Sequence, residues 1–175
     1  AMDYTERSDE MNQLFQNKNI YTEAKNTLYA VGWTYSGDKN PNGSYAGSNC
    51  LYVITSSMYN QQLSITELFT LTGLTPDAEM LTLACDNEGN LYGITTDCNF
   101  YAVDKETGRC TKLFSLDDYY AQTSGIGPNG GQSMCYDHEA NCIYWSANCQ
   151  IAGSTSYSYV SRNYRIDPKT HEVEY

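Results

Sequence analysis

Positive charge is scarce in this sequence. Its 175 residues include 10 lysines and arginines against 21 aspartates and glutamates, which gives a formal net charge of −11 at pH 7. Nucleic acids and anionic membrane surfaces both select proteins with a basic surface. We therefore expect neither kind of partner, and the negative charge is typical of a protein kept in solution.

Long apolar runs, metal-binding pairs and histidines are also lacking. No run approaches the ~20 apolar residues that cross a bilayer. No secretory signal is present either, so we expect that any signal has been cut away or left out. The chain has only two histidines, His138 and His171, and no Cys-x-x-Cys pair, which makes a structural zinc site unlikely to form. We expect no cofactor, no bound metal and no membrane insertion.

The cysteine count is odd, because seven are present, and at least one thiol is unpaired within the chain. Two pairs fall at similar places in the repeat described below, Cys85 with Cys135 and Cys98 with Cys149. Cys85 and Cys135 lie in apolar strand patterns, so we predict that they are small buried hydrophobes. A disulfide is the alternative, and cysteine usage does not decide the compartment.

Short β-type runs fill the chain from residue 28 onward, separated by clusters of Gly, Asn, Asp and Ser. This pattern indicates an all-β fold. Residues 1–20 are polar, and we predict a loose arm or short helix there. The predicted strands span residues 28–34, 50–56, 63–71, 80–85, 91–95, 99–103, 110–116, 132–136, 142–146, 161–166 and 172–175.

One pattern occurs twice, over residues 83–113 and again over 133–175. Each copy holds a hairpin led by an aspartate and then a second tight turn led by another aspartate. A repeat of this size marks an architecture of stacked units, none of which buries its apolar face alone. The matching positions are Asp86 with Asp137, Tyr92 with Tyr144, and Asp104 with Asp167.

The pairing of an Asp-x-x-Gly-Asn-Leu-Tyr hairpin with a Tyr-Ala-Val-Asp-x-x-Thr-Gly hairpin resembles the β-propeller blades of the NHL, YVTN and PQQ-type repeat families. Such a blade is a four-stranded antiparallel sheet, and blades pack radially around a channel. The resemblance implies one all-β, propeller-like domain over residues 1–175, with an arm at 1–20. Its blades would cover about 12–71, 80–116 and 132–175. These families host many unrelated activities, so the resemblance implies a fold and not a function.

Three blades do not close a ring, because propellers usually have about four to eight. We expect that the chain is a piece of a longer protein or, as the alternative, that two copies complete a six-bladed ring. An open sheet edge invites pairing with another chain. The expected partner of the first or last sheet is therefore a second copy, in an edge-to-edge homodimer.

Loop length differs between the two ends of the predicted blades. Connections at residues 35–49, 72–79, 117–131 and 148–160 are long, and strand alternation sends all of them to one end, here called the long-loop end. Binding residues concentrate on loops held by a rigid scaffold. These loops are rich in Tyr, Ser, Gly and Asn, as adaptable binding surfaces are, although ordinary soluble loops share that composition. The predicted ligand-binding residues are Tyr35, Tyr45, Tyr119, Tyr120, Tyr157 and Tyr159, opposite Gly89 and Gly108.

Catalytic and metal signals are poor. Neither histidine has a Ser or Cys partner at a readable spacing, so no nucleophilic centre is predicted. Calcium could take oxygen ligands from Asp117 and Asp118 together with Asp77 and Glu79, but carboxylates on loops are more often solvated. We predict no catalytic residue and no metal ligand.

These observations predict a non-catalytic binding or scaffold module that recognises a glycan, a peptide or a protein. The family resemblance and the polar, Tyr- and Asn-rich composition place it in an extracytoplasmic bacterial protein, in the periplasm or at the cell surface. One alternative is a fragment of a propeller enzyme, a lyase or hydrolase, whose active site uses residues outside this chain. Another is a purely structural module that brings neighbouring domains together.

Overall fold

The computed structural model describes residues 27–39, 41, 45–56, 63–116, 133–150 and 159–175. These residues form eleven strands and no helix, which confirms the predicted all-β fold. The strands are β1 (Thr27–Lys39), β2 (Tyr45–Ser56), β3 (Leu63–Thr70), β4 (Met80–Cys85), β5 (Leu91–Thr95), β6 (Asn99–Val103), β7 (Cys110–Ser115), β8 (Ser133–Asp137), β9 (Cys142–Gln150), β10 (Tyr159–Ile166) and β11 (Val173–Glu174).

The strands form three antiparallel sheets, in a propeller-like arrangement that does not close into a barrel within the described residues. The first sheet has the order β1-β2-β3, the middle sheet β4-β5-β6-β7, and the last sheet β11-β10-β9-β8. The first sheet thus has three described strands in place of the four predicted. By its motif β1 corresponds to β5, so a counterpart of β4 would fall before residue 27, outside the described residues.

The chain divides into two compact units, which are Ala1–Tyr29 with Val53–Thr66 and Ala30–Tyr52 with Glu67–Tyr175. In the first unit the described residues are strand ends, and they include the exposed side chains of Leu28, Leu63 and Ile65. The second unit holds both four-stranded sheets and the remaining parts of β1, β2 and β3.

Four tight turns share one construction, and it explains why aspartate recurs in the sequence. In each turn the Oδ1 atom of the leading aspartate accepts the backbone N–H two residues later, at 2.9 Å in three turns and 2.8 Å in the fourth. Such a side-chain bond stands in for a backbone turn and lets aspartate begin it. The four leading residues are Asp86, Asp104, Asp137 and Asp167.

Each of these turns also needs one residue with a left-handed backbone. The φ angles are 82° at Gly89, 74° at Gly108, 52° at Asn141 and 65° at His171. At Gly108 an added Cβ atom would also lie 2.6 Å from the Cβ of Phe69. Gly108 is therefore required by both the turn and the packing.

The middle and last sheets share one buried cluster of side chains, and β4 contacts β8. Ile94 and Phe100 of the middle sheet are fully buried in it, as is Trp145 of the last sheet. The Trp145 and Tyr164 rings stack with their centroids 5.0 Å apart. Trp145 is thus a core residue of the last sheet.

The ladder register repeats between these two sheets, and this shows which positions correspond. Ile94 pairs with Phe100 in the middle sheet, and Ser146 pairs with Asn163 at the same place in the last sheet. Likewise, the pair of Tyr92 and Ala102 corresponds to the pair of Tyr144 and Arg165. The match of Tyr92 with Tyr144 predicted from sequence agrees with this register.

Corresponding positions differ sharply in polarity. In the middle sheet, Ala84, Tyr92, Ile94 and Phe100 at these positions are buried in the cluster shared with the last sheet. In the last sheet they form an outward face, defined by Cys135, Tyr144, Ser146, Asn163, Arg165 and Glu174, of which all but the half-buried Ser146 are exposed. The apolar contact that joins two sheets is therefore not continued on this outward face.

The prediction that Cys85 and Cys135 are buried is wrong, because both are exposed. Strand alternation turns successive side chains to opposite faces. Their neighbours Ala84 and Met134 therefore enter the core in their place.

Cys85 and Cys135 are also not equivalent positions. Ala84 pairs with Tyr92, and Cys135 pairs with Tyr144, so Ala84 is the counterpart of Cys135. A shift of one residue moves a side chain to the other face of a sheet. The side chain of Cys149 lies outside the described residues, so its proposed match with Cys98 stays a prediction.

We expect the corresponding residues Phe100 and Asn163 to respond oppositely to truncation. Phe100→Ala opens a cavity between two sheets and should lower the free energy of unfolding by about 3–5 kcal/mol. Asn163→Ala removes an exposed polar group and should change it by less than about 0.5 kcal/mol. Urea denaturation followed by tryptophan fluorescence measures both. Similar losses in the two variants would contradict the assignment of an outward face.

Candidate functional site

Two of the four segments predicted as long loops contain strand residues. Residues 35–49 fall mostly in the hairpin of β1 and β2, and residues 148–160 fall partly in that of β9 and β10. Tyr35 accordingly lies within β1, and Tyr45 and Tyr159 are the first residues of β2 and β10, with side chains outside the described set. Tyr119, Tyr120 and Tyr157 lie outside the described residues altogether.

The composition of residues 36–38, Ser-Gly-Asp, explains why this stretch was predicted as loop. These residues are turn formers, yet they remain in a ladder. Gly37 adopts a φ of 88°, and the Ser36 hydroxyl donates to the Ala46 carbonyl oxygen of β2 at 3.2 Å. The Ser36 hydrogen bond thus helps to keep this irregular stretch paired with β2, although its composition is that of a turn.

The hairpins differ in length at the long-loop end. The middle hairpin is short, because β5 and β6 have 5 residues each. The hairpin of β1 and β2 has strands of 13 and 12 residues, and that of β9 and β10 has strands of 9 and 8. The first and last hairpins are therefore long arms, whereas the middle hairpin is short.

An aromatic ring is fixed on the first arm by a glycine across the ladder. A Cβ atom added to Gly47 would lie 2.2 Å from the Nε1 atom of Trp33, so the indole lies directly against the Gly47 backbone. Glycine is needed wherever another group approaches the backbone this closely. The same device recurs nearby, where a Cβ atom on Gly32 would lie 3.1 Å from the Tyr52 ring.

A row of polar side chains crosses the first sheet beside that second ring. The hydroxyls of Thr34 and Tyr52 are 2.7 Å apart, and the Tyr52 hydroxyl donates to Glu67 Oε2 at 3.3 Å. These three residues belong to β1, β2 and β3, and their contact is exposed. Because hydroxyls and a carboxylate are already ordered there, this surface is suited to hydrogen bonding with a polar ligand.

A buried polar group lies at the long-loop end of the middle sheet, and sequence reasoning missed it. The Asp97 carboxylate accepts hydrogen bonds from the hydroxyl of Thr95 and, at 2.7 Å, from Asn99 Nδ2. Thr95 is fully buried and Asn99 is 6% exposed. The available signal was the run Thr95-Thr-Asp-Cys-Asn99, in which several polar side chains surround one turn.

The Asp97 group also holds the connection between the first and middle sheets. The Thr75 N–H donates to the Tyr101 hydroxyl at 3.3 Å, and the two hydroxyl oxygens are 3.2 Å apart. Burial would raise the pKa of the Asp97 carboxyl, but hydrogen bonds from Thr95, Thr75 and Asn99 outweigh it and hold that pKa below its usual value of 3.8. The carboxylate is therefore ionised at neutral pH and acts as a fixed acceptor.

Asn49 makes a second tie at this end. Its Nδ2 atom donates to the Ala78 carbonyl at 2.9 Å, and its Oδ1 atom accepts the Met80 N–H at 2.8 Å. The side chain is buried, and it provides the hydrogen-bond partners of the Ala78 carbonyl and the Met80 N–H. The residues from Thr75 to Met80 are thereby positioned by side chains of both neighbouring sheets.

The histidines and acidic loop residues take no catalytic geometry in the described part of the chain. His138 donates through Nδ1 to Asn87 Oδ1 at 2.5 Å, and the His171 ring packs on Phe114 with centroids 5.1 Å apart. No three His, Cys, Asp or Glu side chains of the described residues come together as a metal site. Asp117 and Asp118 lie outside those residues.

No family model matches the chain, and no curated protein matches it. Among the described residues, no helix has the length and apolar character needed to span a membrane. Any statement about function therefore depends on the geometry of the site.

We expect Asp97→Ala to destabilise the protein in a pH-dependent way. Loss of the fixed acceptor should cost about 1 kcal/mol at pH 7. Because the folded pKa of Asp97 lies below the unfolded value of 3.8, its stabilisation is present above that value and disappears as the pH falls through the folded pKa.

Urea denaturation at pH 7 and at pH 3 measures this difference. Wild type and Asp97→Ala should differ at pH 7 and approach each other at pH 3. Asp38→Ala removes the same charge from an exposed arm position and serves as the matched control. A constant difference between wild type and Asp97→Ala across the pH range would contradict this role.

Proposed function

We propose that this chain is a non-catalytic binding module that recognises a glycan, a peptide or a protein through its long-loop end. One observation carries the proposal: the first and last hairpins have long arms, whereas the middle hairpin is short. Ligand sites are concave and combine aromatic side chains with a few fixed polar groups. Arms on both sides of a short hairpin supply the material for such a site.

The described chemistry of this end supports recognition of a polar ligand. Trp33 presents a ring fixed against a glycine, and the Thr34–Tyr52–Glu67 row presents ordered hydroxyls and a carboxylate. Rigid aromatic rings give contact area at a small entropic cost, and the hydroxyls give adaptable hydrogen bonds. The six predicted tyrosines would add further rings to the same end.

The location and the assembly of the module are proposals as well. We place it in an extracytoplasmic bacterial protein, at the cell surface or in the periplasm, because its strand and turn pattern resembles propeller repeats with this distribution. An edge-to-edge homodimer is consistent with sheets that end in open strands. Light scattering at high concentration tests the dimer, and a strict monomer would contradict it.

Replacement of Tyr119 and Tyr120 by alanine tests the binding proposal. If both rings contact the ligand, they should contribute about 1 kcal/mol each, so the double variant should bind at least about tenfold more weakly. Arrays of glycans and peptides identify the ligand, and calorimetry then gives its dissociation constant. The melting temperature should change little.

Tyr144→Ala is the control for this experiment. Tyr144 is also an exposed tyrosine, at 42% of its surface, but it lies on the outward face of the last sheet. Its replacement should leave binding unchanged. Unfolding of the Tyr119 and Tyr120 double variant would show that these rings are core residues, and equal losses from both sites would reject the long-loop end as the binding surface.

A further inference from the structure

A groove lies at the other end of the middle sheet, between two of the tight turns. It has a volume of about 440 Å³, within the range of small-molecule sites. One side is formed by the turn that contains Gly89 and Asn90, and the opposite side by the turn that contains Lys105 and Glu106. This groove is separate from the long-loop end, because the tight turns connect the opposite ends of the same strands.

The groove contains two cationic side chains, of which one is held by a hydrogen bond and the other has no side-chain partner among the described residues. Lys105 Nζ donates to the Gly89 carbonyl at 2.9 Å and thereby joins the two turns. Arg109 also lines the groove. Across the described parts of the chain, its guanidinium takes part in neither of the two ion pairs and in none of the side-chain hydrogen bonds. A planar guanidinium binds a carboxylate through two parallel hydrogen bonds, and Arg109 is available to do so.

The two acidic side chains of the groove also differ in their hydrogen bonds and ion pairs. Asp104 uses one carboxylate oxygen for the Glu106 N–H, at 2.9 Å, and the other for the Thr107 hydroxyl, at 2.6 Å. Glu106 is exposed and has no ion pair within the described residues. The groove thus offers one uncommitted cation, Arg109, and one uncommitted anion, Glu106.

Charge selects the kind of ligand that fits. The four ionised residues that line the groove, Asp104, Lys105, Glu106 and Arg109, sum to a formal charge of zero. The chain as a whole carries −11, and this field opposes the approach of a simple anion. A zwitterion has no net charge to be repelled, yet it presents a carboxylate and an ammonium group together.

The floor of the groove is apolar. Tyr92 and its ladder partner Ala102 line it, and Tyr92 keeps its hydroxyl turned to Asp86, to which it donates at 3.3 Å. Small-molecule sites pair such an apolar lining with a few polar groups that fix orientation. From this arrangement we propose that the groove binds a small zwitterion with an apolar side chain, either a free amino acid or a dipeptide, which carries both charged termini.

In the bound state Arg109 would take the carboxylate, Glu106 the ammonium group, and the floor the side chain. The first probe is L-leucine, which is titrated into the whole chain while heteronuclear NMR spectra are recorded. It should bind and shift the amide signals of residues 89–92 and 102–111. N-acetyl-L-leucine, which lacks the ammonium group, and L-leucinamide, which lacks the carboxylate, should each bind at least about tenfold more weakly.

Variants separate this site from a general surface effect. Arg109→Ala and Glu106→Gln should each weaken leucine binding at least about tenfold. Arg109→Lys keeps the charge but loses the planar fork, and should weaken it as well. Lys112→Ala is the matched control, because Lys112 is an exposed cation on β7 that does not line the groove. Circular dichroism checks that every variant is folded.

The dipeptide Leu-Leu distinguishes the two sources of the ligand. Tighter binding than L-leucine assigns the groove to a dipeptide, and weaker binding assigns it to a free amino acid. Absence of leucine and dipeptide binding at millimolar concentration would overturn the proposal, as would equal binding of all the probes or an unchanged affinity in Arg109→Ala. None of these results bears on the arms at the long-loop end.

Discussion

The apolar contact between the middle and last sheets is the constraint on which the rest of the structure depends. Phe100, Ile94 and Trp145 are fully buried in it, and each can be there only if its strand keeps its register. A slip of one residue would exchange every buried side chain for an exposed one. The tight turns that fix the register are therefore as important as the apolar residues themselves.

The turns also join the two sheets directly. Asn87 Nδ2 donates to the His138 carbonyl at 2.9 Å, and Lys169 Nζ lies 2.6 Å from Glu88 Oε1. The ion pair is exposed and adds little by itself. Together the contacts align the turns of one sheet with those of the next. The long-loop end makes none of these turn contacts, and its connections are ordered instead by the half-buried Asp97 and the buried Asn49.

The sequence predicted the fold well where local chemistry decides it. The limits of β4, β5 and β6 agree with the predicted runs at residues 80–85, 91–95 and 99–103, because each run is short, apolar and bounded by an Asp-led turn. The arms were missed because Ser36, Gly37 and Asp38 have the composition of a turn, and only pairing with a distant strand keeps them extended. Cys85 and Cys135 were misplaced for a related reason, since composition does not show which face of the sheet a strand residue occupies.

The site was harder to predict than the fold. Tyr35 could be found from composition, but its place within a strand could not. Asp97 has no distinctive neighbour in sequence, and its role depends on Thr75, which reaches it across a connection between sheets. The groove beside Arg109 depends on two turns brought together by strand pairing, and no motif marks it. A site assembled from several turns can be recognised only when the pairing of the strands is known.

The polar outward face of the last sheet has a consequence for how such proteins change in length over evolution. The backbone of that sheet repeats the middle one, so a duplicated copy would meet a familiar backbone but a different surface. Ser146, Asn163 and Arg165 stand where the middle sheet has Ile94, Phe100 and Ala102. Packing of a further unit on this face would therefore require a change in side-chain polarity at these positions as well as the added residues.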